Sequence, residues 1–175
     1  MKKYILLVLA FLFSFQVFAS SKSIVVYYSL TGTTEKLALR IAEETGSDVF
    51  ELELVNPYSK NGNTCSDESR KDFKNGVRRE LKALPDLSAY DTVYIGTPVW
   101  NNSLSNPVET FIFLFKDELK SKTVVPFCTY WSTGNTETLS TIEKLCTSEN
   151  VISGLSQAHG EVCDVKSFLK KAGLK

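Results

Sequence analysis

Five short runs rich in β-branched and aromatic residues recur along the chain, with helical spacing in most of the stretches between them. Ser23 to Tyr28 opens the series as a run suited to a buried parallel strand. From Glu35 to Thr45, apolar residues at Leu37, Leu39, Ile41 and Ala42 mark an amphipathic helix, with Gly46 as its stop. Asp48 to Leu54 alternates and reads as a second strand. Asn56 to Thr64 holds Pro57, Asn61, Gly62 and Asn63 and reads as a long loop. Asp67 to Leu84 is polar and charged, with Phe73, Val77 and Leu81 at helical spacing. Asp91 to Thr97, Thr123 to Thr129 and Val151 to Gln157 are the remaining strands. Pro107 to Phe115, Thr136 to Leu145 and Val162 to Ala172 are the remaining helices, with Pro107 suited to a first turn. Strand and helix in alternation predict an α/β domain: a doubly wound, five-stranded parallel sheet with helices on both faces. Right-handed crossovers leave few topologies.

The composition supports a compact domain and removes several functions. The 175 residues are 43% hydrophobic and 23% charged, an ordinary globular balance. Twenty basic residues meet twenty acidic ones, so no basic excess marks nucleic acid as a partner. Four cysteines without CxxC spacing and one histidine argue against a zinc site of the usual kind.

The first residues read differently from the rest. Lys2 and Lys3 precede an apolar run from Ile5 to Phe13, and Val17-Phe18-Ala19 ends in a small residue. This pattern predicts a secretory signal peptide over residues 1–19, followed by a domain over 20–175. An uncleaved anchor is the competing reading, although a bilayer span needs about 20 apolar residues. Cleavage after Ala19 removes two lysines and no acid and leaves a net charge of −2. The expected location is periplasmic or secreted, with no membrane contact after cleavage. All four cysteines stay in the mature chain, where an oxidising compartment makes disulfides plausible.

Ligands of doubly wound sheets bind past the carboxyl ends of the strands. Three such loops stand out: Ser29 to Thr34, Thr97 to Asn102 and Thr129 to Asn135. They are dense in hydroxyls, amides and aromatics and carry no Asp, Glu, Lys, Arg or His. A phosphoacceptor receiver needs acids after strands one and three. A P-loop needs Gly-Lys-Ser/Thr. A Cys-x5-Arg phosphatase needs an arginine one place beyond Arg70, which follows Cys65. Gly154-Leu-Ser-Gln-Ala158 resembles a nucleophile elbow only faintly, and His159 directly after it reads as a surface loop residue.

The first loop reads as a phosphate cradle. Hydroxyls at Ser29, Thr31, Thr33 and Thr34 surround Gly32 at the expected start of a helix, where N–H groups and the dipole favour an anion. The competing reading is a cluster that merely caps the helix. Trp100, with Tyr130 or Trp131, stands at the same end of the sheet and suits a sandwich around a flat ring. Alternatively, Trp100 covers the core edge and Trp131 packs on a helix.

Ser29-x-Thr31-Gly32-x-Thr34, directly after a first strand, resembles the phosphate-binding pattern of flavodoxins. Leu84-Pro-Asp-Leu-Ser-x-Tyr-Asp91, Gly96-Thr-Pro-Val-Trp100, Pro107-Val-x-Thr-Phe111 and Val125-Pro-Phe-Cys-Thr129 extend the likeness to the short-chain members. The resemblance implies the flavodoxin-like strand order 2-1-3-4-5, with FMN at the switch between strands one and three. It implies phosphate contacts from Ser29, Thr31, Gly32, Thr33 and Thr34. It implies ring contacts around Thr97, Pro98, Val99, Trp100 and Asn101, and around Tyr130, Trp131, Ser132 and Gly134. No side chain here is a convincing general acid or base, so no catalytic residue and no metal ligand is expected.

The chain departs from these relatives in two loops. Thr129-Tyr-Trp-Ser-Thr-Gly-Asn135 is bulkier and poorer in glycine than the usual Thr-His/Tyr-Gly-Gly-Ser-Gly, and Trp100-Asn-Asn102 replaces Trp-Trp-Gly. Three functions follow from the resemblance and its departures. The first is an FMN electron carrier outside the cytoplasm, serving a redox partner protein. The second is an FMN-dependent reductase of a quinone, a tetrapyrrole or another small planar acceptor. The third is a flavin-free binding domain on the same fold. Relatives often carry cysteine at the places of Cys128 and Cys146, whereas Cys65 and Cys163 are particular to this chain. A Cys146–Cys163 bridge would be worth about 3 kcal/mol by loop entropy.

Overall fold

The computed structural model describes residues 22–174, so the expected signal peptide lies outside the described residues. Five parallel strands form the sheet: β1 (Ser23–Tyr27), β2 (Asp48–Glu51), β3 (Thr92–Trp100), β5 (Thr123–Tyr130) and β6 (Leu155–Ala158). A two-residue strand, β4 (Ser103–Leu104), folds back antiparallel on the end of β3. The order is β2-β1-β3-β5-β6. Counting only the parallel strands, this is the expected 2-1-3-4-5.

The central strands β1, β3 and β5 are buried on both faces, which is why they read as continuous apolar runs, whereas the edge strand β2 is largely exposed. Ile24 and Val26 of β1, with Val93 and Ile95 of β3, face one core. Over it lie α2 (Gly62–Asn75), α3 (Asn106–Leu114), the short α4 (Lys116–Leu119) and α5 (Asn135–Cys146). Val25 and Tyr27 of β1, with Val125 and Phe127 of β5, face the other core. It is covered by α1 (Thr33–Thr45) and α6 (Val165–Lys171). Gly96 of β3 has no side chain because the Phe127 ring fills that space.

Two expectations are corrected. The helix expected over Asp67–Leu84 begins earlier and stops at Asn75, so part of the expected Asn56–Thr64 loop is helical. Asn61 is its cap, accepting from Asn63 N–H at 3.1 Å and Thr64 N–H at 3.2 Å. Gly76, at φ +62°, ends it by taking the left-handed conformation that favours glycine. Leu81 then buries itself as an extended residue, bridging Leu54 antiparallel. The second correction concerns the cysteines, all four of which are free. Cys146 lies in the core under one face of the sheet and Cys163 packs against the other, so the sheet separates them. Burial pushes the Cys128 and Cys146 thiols up to about 12.

Parallel register gathers the strand ends at one edge. Tyr27 stands beside Gly96, Pro98 beside Thr129, and Tyr130 beside Ala158. The loops that leave these strands therefore meet.

Candidate functional site

The first wall is the turn from β1 into α1. Gly32, at φ +81°, is the residue before the helix, and no side chain caps the first turn. The Lys36 N–H donates to the Gly32 carbonyl at 3.1 Å, which starts the helical ladder. The Gly32 N–H donates to Ser29 Oγ at 3.1 Å, so Ser29 shapes the turn. Thr31 Oγ1 and Thr33 Oγ1 lie 3.4 Å apart and exposed. Thr34 turns inward, and its hydroxyl sits 2.8 Å from Thr129 Oγ1, tying α1 to β5. The helix N-terminus thus keeps its N–H donors uncapped beside two open hydroxyls, an arrangement suited to an anion. The competing reading, hydroxyls that merely cap the helix, is not what the fold does with them.

The second wall is the end of β3. Trp100 meets Tyr28 edge to face at 5.6 Å between centroids and Tyr58 at 5.0 Å. Behind it, the Tyr58 hydroxyl donates to Asp72 Oδ2 at 2.7 Å, and Arg79 Nε donates to the same oxygen at 2.6 Å. The Arg79 guanidinium also lies 3.6 Å above the Tyr58 ring. Burial and the Asp72 acceptor together push the Tyr58 phenol above its ordinary range. Trp100 is therefore braced from behind and offers a fixed surface. Asn101 and Asn102, at φ +52° and +57°, turn the chain sharply back into β4.

The third wall comes from β5 and β6. Trp131 is 74% exposed and carries the His159 imidazole stacked on it, at 3.7 Å between centroids and 24° between planes. Gly134, at φ +88°, precedes α5 and lies against Asn102 and Val99, so the second and third walls interlock.

Between the walls is a cleft of about 480 Å³. Eight of the expected residues line it: Thr31, Thr33, Thr34, Pro98, Val99, Trp100, Tyr130 and Trp131. Ser29 and Gly32 shape the turn behind the lining. Thr97 is fully buried, and its hydroxyl accepts from the Ser105 N–H at 2.9 Å. Asn101 donates to Ser69 Oγ, away from the cleft. Ser132 and Gly134 are also outside the lining. Leu30 and Thr129, which lie in the expected loops but are not among the expected contacts, also line it, and so does His159, which reads in the sequence as a surface loop residue. No Asp, Glu, Lys or Arg side chain is among these residues.

The flavodoxin family model matches residues 22–170. The chain belongs to the flavodoxin family. Three solved structures resemble this flavodoxin closely in fold. A chain from Bacteroides eggerthii DSM 20697, designated a flavoprotein, is 26% identical with a TM-score of 0.74, covering 89% of this chain and 99% of its own. Another so designated, from Bacteroides uniformis ATCC 8492, is 27% identical with a TM-score of 0.72, covering 86% and 98%. A Lactobacillus acidophilus NCFM flavoprotein solved in complex with FMN is 23% identical with a TM-score of 0.72, covering 88% and 99%. No functionally curated protein matches the sequence.

Proposed function

We propose that this flavodoxin binds FMN and carries electrons outside the cytoplasm. The observation that carries the reading is the cleft itself, an uncapped helix N-terminus at one end and two tryptophans at the other. Its volume of about 480 Å³ lies within the range of about 300–1,000 Å³ usual for small-ligand sites. The residues present fit the cofactor. Thr31, Thr33 and the first N–H groups of α1 would hold the phosphate. Trp100, Tyr130 and Trp131 would bound the ring. When bound, FMN supplies the redox chemistry, and the protein supplies position and surroundings. The hydroxyls would meet the phosphate without an Asp, Glu, Lys or Arg side chain in the lining, and the aromatic side chains would bound the ring.

Residues 1–19 support an exported location, with the mature domain free of the membrane and without nucleic acid as a partner. The electron acceptor of this reading is a redox partner protein. A second reading, reduction of a small planar acceptor, is favoured by one feature. A cavity of about 270 Å³ shares Leu30, Val99 and Trp100 with the main cleft. Turnover of quinones with a reduced nicotinamide donor separates the two, because a pure carrier shows little.

The deciding experiment is the visible absorbance of the purified protein, followed by titration with FMN. Flavin bands, or quenching that saturates at one FMN per chain, support the proposal. A colourless protein that leaves FMN fluorescence unchanged overturns it and favours a flavin-free binding domain.

A further inference from the structure

The cavity of about 270 Å³ beside the cleft shares only Leu30, Val99 and Trp100 with it. The rest of its wall is separate. The first two turns of α2 bring Gly62, Cys65, Ser66 and Ser69 to it, and no residue of α2 lines the main cleft. Asn101 closes the wall at the end of β3. The Ser69 hydroxyl donates to the Ser66 carbonyl at 3.1 Å and accepts from Asn101 Nδ2 at 3.3 Å, which ties α2 to the turn after β3. Trp100 lines both spaces, and its edge contacts with Tyr28 and Tyr58 fix it between them.

The lining restricts what this cavity holds. Leu30, Cys65, Val99 and Trp100 present apolar surface, and no Asp, Glu, Lys, Arg or His side chain is among the lining residues. Burial and the Glu68 carboxylate raise the Cys65 thiol above its ordinary range, so it stays uncharged. A charged guest would lose its water here and meet no opposite charge. The volume is below the range of about 300–1,000 Å³ that suits drug-sized ligands, so the guest is smaller than those. A tetrapyrrole, four rings bearing carboxylate arms, fits neither the size nor the charge. Ser66 is engaged through its backbone carbonyl, which leaves its hydroxyl to donate. A flat ring against Trp100, with a carbonyl toward Ser66, meets the apolar and the polar side of the lining together.

We propose that the cavity between Trp100 and α2 is a separate binding site for a small uncharged quinone of one or two rings, lying against the Trp100 indole with a carbonyl toward Ser66. The proposal deepens the second reading above, reduction of a small planar acceptor, and rests on it for the quinone as the class of ring. It selects quinones over tetrapyrroles. It also holds acceptor and cofactor at once, in adjoining spaces that share one tryptophan.

The test uses a Trp131→Phe background, which leaves Trp100 as the only indole of the chain. The probe is duroquinone, a single fully methylated quinone ring with no free ring position for the Cys65 thiol to attack. Quenching of Trp100 emission is followed in the cofactor-free protein, and duroquinone binding to FMN-saturated protein is measured by equilibrium dialysis. Quenching is expected to saturate at one quinone per chain, and binding is expected to persist with FMN present. Ser66→Leu, which fills the cavity, weakens duroquinone binding about ten-fold or more. Ser66→Ala, which removes the donor, weakens it about three-fold. Both leave FMN affinity unchanged. Gly62→Leu is the second filling variant, at a place where a Cβ meets nothing within 4 Å. A sulfonated benzoquinone binds far more weakly than duroquinone. Quenching that rises without saturating overturns the proposal. So does duroquinone that FMN displaces, or full duroquinone affinity in both filling variants. The emission arm needs no cofactor. If FMN binds no variant, the cofactor reading fails and duroquinone quenching alone decides the site. If duroquinone binds as expected and the FMN-loaded protein does not reduce it, the site stands and the second reading falls.

Discussion

Gly134→Ala tests whether the two aromatic walls are locked together. A Cβ at this position meets Asn102 Cα and Oδ1 at 2.8 Å and Val99 Cγ1 at 2.9 Å. Asn102 has little freedom to withdraw, because it already holds φ +57°. Gly32 is the control. It has φ +81°, but its nearest neighbour is Glu35 Oε2 at 3.5 Å, an ordinary contact with a flexible side chain. Alanine at either site costs about 1–2 kcal/mol for the left-handed backbone. At Gly134 the overpacking adds about 1–3 kcal/mol. Each kcal/mol lowers the melting temperature by about 2–4 °C in a domain of this size. Thermal unfolding of the cofactor-free variants, followed by circular dichroism, should place Gly134→Ala clearly below Gly32→Ala. Equal melting temperatures would refute the interlock. FMN titration of the same proteins should show weaker binding in both, through the aromatic walls in one and the anion turn in the other.

Three further outcomes are expected. Thr31→Ala and Gly32→Val weaken FMN binding far more than Lys36→Ala on the helix surface, and equal losses would remove the phosphate assignment. Thr129→Val strands the buried Thr34 hydroxyl and costs about 1–3 kcal/mol in urea unfolding, of which the Thr34→Val/Thr129→Val pair recovers part. Burial, with repulsion from Glu35 and Glu53, raises the Glu51 carboxyl above its ordinary range. Its contribution therefore favours the fold in acid and turns against it as pH rises, so Glu51→Gln stabilises the protein at pH 7 and the gain disappears in acid.

The fold was legible because a parallel strand buried on both faces has few ways to be written. Val25 and Val26 face opposite cores, yet both must be apolar. Misreading entered where one pattern serves two structures. Phe73, Val77 and Leu81 share helical spacing, but Gly76 breaks the helix between the first two and Leu81 is buried by a bridge to Leu54. Asn61-Gly62 suits a turn and suits a helix cap equally well. At the site, the hydroxyl loop and the aromatics were legible from their places after β1, β3 and β5. The inward turn of Thr97 was not, since its partner Ser105, the residue before α3, is brought back to it by a two-residue hairpin pairing that leaves almost no pattern. His159 was hidden for another reason. Its place beside Trp131 follows from the β5–β6 register, which pairs Tyr130 with Ala158, and register is a property of two strands together.

The uncharged lining of the cleft also has a kinetic consequence. Eighteen basic and twenty acidic residues beyond Ala19 nearly cancel, and the field of a helix N-terminus fades within its first turn. A phosphate-bearing ligand approaching through solvent therefore feels little pull until it arrives, and its encounter rate has no long-range attraction for salt to screen. Loading proceeds at nearly the same speed in dilute buffer and in brine, and selection among ligands falls to how long each one stays.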